Sequence, residues 1–339
     1  MHKPADMSLW TGRIDAEEPV ELSYRLHQLI QPTLNQKSAA ALDNETAPVL
    51  AQRNALALIG FCSDEGVRRN QGRVGARNGP DRLRRTLANL PWPSDIPVTD
   101  AGNVICQDND LEQAQQELAG QVSRQLSAGR LPFVLGGGHE VAYGSWLGLA
   151  DYYYLTNGQT NAQPPRIGII NFDAHFDLRL DSAGASSGTP FYQIAQQCEQ
   201  RGLAFNYCCL GVSEMANTQA LFQRADNLGV SYRRDTGMAI DQLSESLQQL
   251  QRFIDACDVI YLSIDLDVLP ASVAPGVSAP APRGVGLEVL EPLIQRICDS
   301  GKLKLADIAE YNPEFDIDNW TARVATRLFY LIANGALNR

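Results

Sequence analysis

The chain has 339 residues, 44% hydrophobic and 20% charged, the composition of a globular protein with a substantial core. Its formal net charge of −11 argues against nucleic acid as a partner. The opening "MHKPADMSLWTGRIDAEEP" lacks the apolar segment of a secretory leader, and no run approaches the roughly 18 apolar residues that span a bilayer. A cytoplasmic protein with no membrane partner is therefore expected.

The first 50 or so residues are irregular and are expected to wrap the outside of the fold. From there, short apolar runs recur: "ALALIGF" (55–61), "LPFVLGG" (131–137), "RIGIINFD" (166–173), "FNYCCLGV" (205–212), "DVIYLSIDLD" (258–267) and "LKLADIAEY" (303–311). Segments with helical spacing separate them, among them "NDLEQAQQELAGQVSRQLSAG" (109–129), "SESLQQLQRFIDAC" (244–257) and "LEVLEPLIQRICDSG" (287–301). Continuous apolar strands alternating with helices predict an α/β fold, with a parallel sheet covered on both faces and right-handed crossovers. The seven cysteines are odd in number, lack C-x-x-C spacing and often lie inside apolar runs, so they are expected to be reduced core residues.

In such sheets, ligands bind beyond the carboxyl ends of the strands. The unusual residues of this chain fall there: "GGGHE" (136–140), "DAHFD" (173–177), "DLD" (265–267) and "EYNPEFD" (310–316). Because these segments must meet to form one site, the expectation is a single domain spanning 1–339, with 1–50 peripheral.

Asp173, His175 and Asp177 occupy alternate positions. In a fully extended strand they would line one side, about 6.6 Å apart per step, too far for one ion to use all three. Two ions roughly 3.5–4 Å apart could use them if the chain bends at the strand end. Asp265 and Asp267 repeat the spacing, and His139, reached through three glycines, completes a set of six. Four aspartates balance only against two divalent cations. A set with no thiolate that is two-thirds carboxylate suits manganese better than zinc, with iron and zinc left open. Taken singly, D-x-H-x-D could be a capped turn and "GGGHE" a phosphate loop; together, each at a strand end, they point to a binuclear metal site. The basic stretch "GVRRNQGRVGAR" (66–77) reads either as a solvated loop or as an anion site.

The segments "GGGHE", "FDAHFDLR" and "SIDLDVLPASVAPGVSAP" resemble the signatures of the ureohydrolase family, which includes arginase and agmatinase, over roughly 55–335. The resemblance implies a three-layer α/β/α fold around a mostly parallel eight-stranded sheet, and a homo-oligomer. It implies two Mn2+ ions per subunit on His139, Asp173, His175, Asp177, Asp265 and Asp267, and metal-assisted hydrolysis of a C–N bond at an amidine-type carbon. By the same resemblance Glu310 pairs with the amidinium, and Asp177 carries a proton to the leaving nitrogen.

Two departures bear on the substrate. Arg179 stands where arginase-like members have Asn, and Ser187 stands where they have a shuttling His. An arginine suits a carboxylate-bearing substrate. Together with "GGGHE" and the 65–80 segment, these features resemble the formimidoylglutamase branch and point to N-formimidoyl-L-glutamate. A guanidino compound hydrolysed with release of urea is the alternative. Arg69 and Arg73 are further candidate carboxylate ligands.

Overall fold

The computed structural model describes residues 1–33, 55–93, 95–157 and 164–337. Part of the expected peripheral segment, 34–50, thus lies outside the described residues. The strands are β1 (His2–Lys3), β2 (Gln31–Pro32), β3 (Leu56–Cys62), β4 (Val98–Ile105), β5 (Leu131–Leu135), β6 (Ile167–Phe172), β7 (Asn206–Val212), β8 (Ser231–Arg234), β9 (Val259–Asp265) and β10 (Leu303–Ala309). They form one sheet in the order β1-β4-β3-β5-β10-β9-β6-β7-β8, with β2 also paired to β4. The eight strands from β4 to β8 in that order are all parallel. They are the expected eight-stranded core. The two-residue β1, antiparallel, and β2, parallel, extend it along the outer edge of β4.

The helices are α1 (Leu26–Leu29), α2 (Glu65–Arg69), α3 (Gly79–Leu87), α4 (Leu111–Ser127), α5 (Val141–Asn157), α6 (Pro190–Arg201), α7 (Gln219–Asn227), α8 (Leu243–Ala256), α9 (Leu287–Asp299) and α10 (Trp320–Leu337). Strand alternation sorts the core into two layers. Ile260, Leu262 and Ile264 of β9 pack with Leu83 of α3, Leu250 of α8, Leu293 of α9 and Phe329 of α10. Val259 and Tyr261 of the same strand pack with Val122 of α4, Trp146 of α5, Ile194 of α6 and Leu221 of α7. Both faces of the sheet are covered, which is why its strands read as unbroken apolar runs rather than alternating ones.

Local signals set the helix ends. Asp110 caps α4 by accepting from Gln113 N at 3.0 Å. Helix α6 opens with Pro190 in its first turn and closes on Gly202, whose φ of 66° is left-handed.

The four central strands, β5, β10, β9 and β6, end in register: Leu135 pairs with Ile308, Ile308 with Ile264, and Ile264 with Phe172. Their carboxyl ends therefore open side by side at the middle of the sheet. This arrangement brings together four segments that lie far apart in sequence.

Candidate metal centre

After β5 the chain passes closely under its neighbours. A Cβ on Gly136 would lie 2.7 Å from Ile308 O, and one on Gly137 would lie 1.8 Å from Ser63 O. Only glycine permits this path, and it delivers the His139 ring into the sheet's mouth. Beyond β6 the chain bends at Ala174 and His175, and Asp177 adopts a φ of 48°. The bend gathers side chains that a straight strand would hold too far apart.

His139 Nδ1 lies 3.1 Å from Asp173 Oδ2, 2.9 Å from Asp177 Oδ2 and 3.1 Å from Asp265 Oδ2. His175 Nδ1 lies 3.0 Å from Asp267 Oδ2 and 3.5 Å from Asp173 Oδ1. The two groups of donor atoms each converge within 4.8 Å. Asp173 turns one oxygen to each group and so links them. All six residues expected as ligands meet in this way.

The donor set fits two cations on the evidence of its own strain. His139 Nδ1 is buried with no hydrogen-bond partner although three carboxylate oxygens surround it. Its other nitrogen, Nε2, lies 3.0 Å from Ser263 Oγ, whose single proton goes to Asp307 Oδ1 at 2.6 Å. Nε2 therefore donates to Ser263, and Nδ1 is the nitrogen aimed at the carboxylates. These outweigh burial and raise His139 well above its ordinary value, and a cation there would take the place of the Nδ1 proton. Burial pushes Asp177 up to about 6, with the charge of Asp173 adding to the effect. Burial also raises Asp265 and Asp267. Asp173 is held below its usual value because contacts with His139 and His175 outweigh burial. Positive charge between these groups relieves both features.

Several supporting residues were not singled out from sequence. Asn171 Nδ2 donates to Asp173 Oδ2 at 2.9 Å. Asn217 accepts from Phe176 N and donates to Ala174 O, fixing the bend. The period-two spacing that picks out Asp173 and Asp265 extends back to Asn171 and Ser263, so a signal for both existed. None exists for Asn217, which a distant loop supplies.

Glu310 follows β10 with a left-handed φ of 66°. Its carboxylate accepts from His139 N at 2.7 Å and from Ser278 Oγ at 2.5 Å. Burial, reinforced by the nearby Glu140, pushes it up to about 8. Glu310 lines a cavity of about 200 Å³ together with His175, Asp177, Asp265, Asp267, Arg179 and Ser187.

Arg69 and Arg73 do not line that cavity. Arg69 is spent on Glu65 and Glu112 and on the carbonyl of Ala185. Arg73 donates to Val277 O and Ser278 O and stacks 4.1 Å from the centre of the Phe315 ring. Here both guanidinium groups brace the walls of the cavity instead of lining it.

A parallel α/β sheet whose central strand ends hold a six-residue His/Asp cluster above a substrate-sized cavity defines a metal-dependent hydrolase scaffold. The family model for the Arginase family matches residues 54–334, and the chain belongs to that family. It is 53% identical to formimidoylglutamase of Aeromonas hydrophila, over 96% of this chain and 97% of that one. It is 51% identical to formimidoylglutamase of Chromobacterium violaceum, over 97% and 98%. Among solved structures, it is similar to Trypanosoma cruzi formiminoglutamase with Mn2+2, at a TM-score of 0.71 and 25% identity, over 86% of this chain and 98% of that one.

Proposed function

We propose that this chain hydrolyses the formimidoyl C–N bond of N-formimidoyl-L-glutamate to L-glutamate and formamide, using two Mn2+ ions held by His139, Asp173, His175, Asp177, Asp265 and Asp267. One observation carries the reading. A cation-binding carboxylate, Glu310, and a carboxylate-binding guanidinium, Arg179, line the same cavity as the metal cluster. That pairing suits a substrate with a cationic amidinium and carboxylates. The names of the curated relatives at about half identity support it.

Two divalent cations so held supply Lewis-acid charge and lower the pKa of water, making hydroxide available near neutral pH. The chain's own residues supply the rest. Glu310, fixed by His139 N and Ser278 Oγ, accepts hydrogen bonds from the amidinium and holds its planar carbon over the cluster. Asp177, partly exposed to the cavity, takes a proton from the attacking water and delivers it to the glutamate nitrogen as the C–N bond breaks. The carbon leaves as formamide and the nitrogen as the amine of glutamate. Ser187 stands where an imidazole shuttle would act in arginase-like members, so Asp177 carries this proton. Arg179 and Ser187 offer donors to the substrate's carboxylates.

The same reading places the reaction late in histidine degradation, in a cytoplasmic homo-oligomer with no nucleic-acid or membrane partner. Residues 1–339 are then one domain with 1–50 at its edge. No helix among the described residues is long and apolar enough to cross a membrane.

Product analysis tests the proposal. Protein loaded with Mn2+ is offered N-formimidoyl-L-glutamate, arginine, agmatine and 4-guanidinobutyrate in parallel. Formamide and glutamate from the first alone are expected; urea from any of the others overturns the substrate assignment.

A further inference from the structure

A substrate with two carboxylates needs more donors than Arg179 alone presents, and the structure places another beside it. Asn70, immediately after α2, lines the same cavity as Arg179 and Ser187. Its Nδ2 donates to Ser187 Oγ at 3.2 Å. That bond uses one of the two amide protons of Asn70 and a lone pair of Ser187. The second N–H of Asn70 and the O–H of Ser187 remain available to an acceptor in the cavity.

Gly188 brings these donors together. A Cβ there would lie 2.7 Å from Arg179 Cδ, 3.1 Å from Arg179 Nε and 3.2 Å from Asn70 Nδ2. The arginine stem and the amide thus converge over one bare backbone position, near enough for a single carboxylate to bridge them. The Arg179 guanidinium makes no hydrogen bond or ion pair with any described residue, whereas all three guanidinium nitrogens of Arg69 and two of Arg73 donate to the chain's own acceptors.

The engagement of Arg69 has a positioning effect. It ties α2 to Glu112 of α4 and to Ala185 O of the loop that carries Ser187. A second tie runs from Glu140, which accepts from Ser63 Oγ at 2.8 Å and Gly66 N at 2.9 Å and so fixes the start of α2 to the turn bearing His139. Asn70 is therefore presented by a segment anchored on both sides.

Resting on the substrate reading above, we infer that Asn70 is a specificity-determining residue: with Ser187 and Arg179 it forms a three-donor clamp for one of the two substrate carboxylates. The clamp grips a part of the substrate that does not react, so it contributes equally to ground state and transition state. Its loss shows in KM rather than kcat.

The test compares wild type, Asn70→Ala and Gly188→Ala on three compounds: N-formimidoyl-L-glutamate, N-formimidoyl-L-glutamine and N-formimidoyl-4-aminobutyrate. The two analogues each lack one carboxylate. Asn70→Ala is expected to raise KM for the dicarboxylate about 10–100-fold with kcat held within about threefold, the range for losing a charge-assisted hydrogen bond. With the analogue that lacks the clamped carboxylate the loss is much smaller, and that analogue identifies which carboxylate is gripped. Gly188→Ala removes no donor but crowds Arg179 and Asn70, and it is expected to erode the same preference. Equal losses on all three compounds, or none, overturn the clamp, as does a fall confined to kcat. Failure of wild type to release formamide from N-formimidoyl-L-glutamate instead overturns the substrate reading. Unchanged unfolding midpoints separate both results from misfolding.

Discussion

Glu310 accepts a hydrogen bond from the backbone N–H of His139 at 2.7 Å, so the carboxylate assigned to the substrate is aligned by the residue that also supplies a metal donor. Both come from adjacent strand ends, β10 and β5. Glu310→Gln keeps the shape and one acceptor but removes the charge that faces the amidinium. The expected result is a fall in kcat/KM of about 10²-fold or more, as for removal of one partner of a buried charge pair. Metal content, measured by elemental analysis of the purified variant, should stay at the wild-type level. A variant that loses its metal along with activity would show that Glu310 serves the cluster and not the substrate.

Asp173 faces both donor groups, one oxygen to each. Substituting it should therefore be more damaging to metal content than substituting a residue that serves one group. Asp173→Asn is expected to leave well under two Mn2+ per subunit after dialysis, and Asp267→Asn to keep one more firmly than the other. Removing metal from the wild type with a chelator should abolish activity and lower the unfolding temperature, because ligands that bind only the folded state stabilise it by mass action. Readdition of Mn2+ should restore both. Calorimetry of the stripped and reloaded protein measures the effect, and an unchanged midpoint would show that the cluster is not a metal site.

Arg179 leaves its backbone tied to Gly188 O at 2.8 Å while its guanidinium faces the cavity. Arg179→Met should raise KM for N-formimidoyl-L-glutamate by about 10–100-fold, and Arg179→Lys should rescue little of it, since a point charge cannot copy a two-pronged donor. Titration of initial rates against substrate decides between a KM effect and a kcat effect. Full rescue by lysine would mean that only net charge matters at this position.

How much of this was legible beforehand follows from how each residue satisfies its needs. The His/Asp cluster was readable because a strand end carrying Asp173, His175 and Asp177 has no better use for them. Strands β5, β6, β7, β9 and β10 were readable because both faces are apolar. Strand β4 was not: "VTDAGNVI" places Asp100, Gly102 and Asn103 inside a run that resembles a turn. Its polar residues are tolerated because Arg84, from a helix well separated in sequence, answers them. Strand β8, "SYRR", lies at the far edge with its residues only partly covered, so it carries no apolar pattern. The bracing contacts of Arg69 and Arg73 were not legible for the complementary reason. Clustered arginines suggest a bound anion when the chain's own acceptors, Glu112 and the carbonyls of Ala185, Val277 and Ser278, cannot be seen.

The Arg84–Asp100 pair supplies a prediction independent of the active site. Arg84 is buried to 1% exposure and Asp100 to 0%. The guanidinium donates to both carboxylate oxygens at 2.8 Å, and Gly102 N and Trp10 Nε1 donate as well at 2.9 Å. Burial favours the neutral acid, but the charge and hydrogen bonds of Arg84 outweigh it and hold Asp100 below its usual value near 3.8. Asp100→Asn leaves a buried guanidinium without its counter-charge, at an expected cost of about 3–5 kcal/mol. A carboxyl whose folded pKa is depressed stabilises the fold fully above its unfolded pKa, and that contribution fades as pH falls through the folded value. Denaturant midpoints of wild type and Asp100→Asn should therefore differ by a constant amount from pH 7 down to about 5. The two should converge only in strong acid, below the usual carboxylate pKa of about 4. Convergence already near pH 6 would mean that Asp100 is not held ionised by Arg84 in the folded chain.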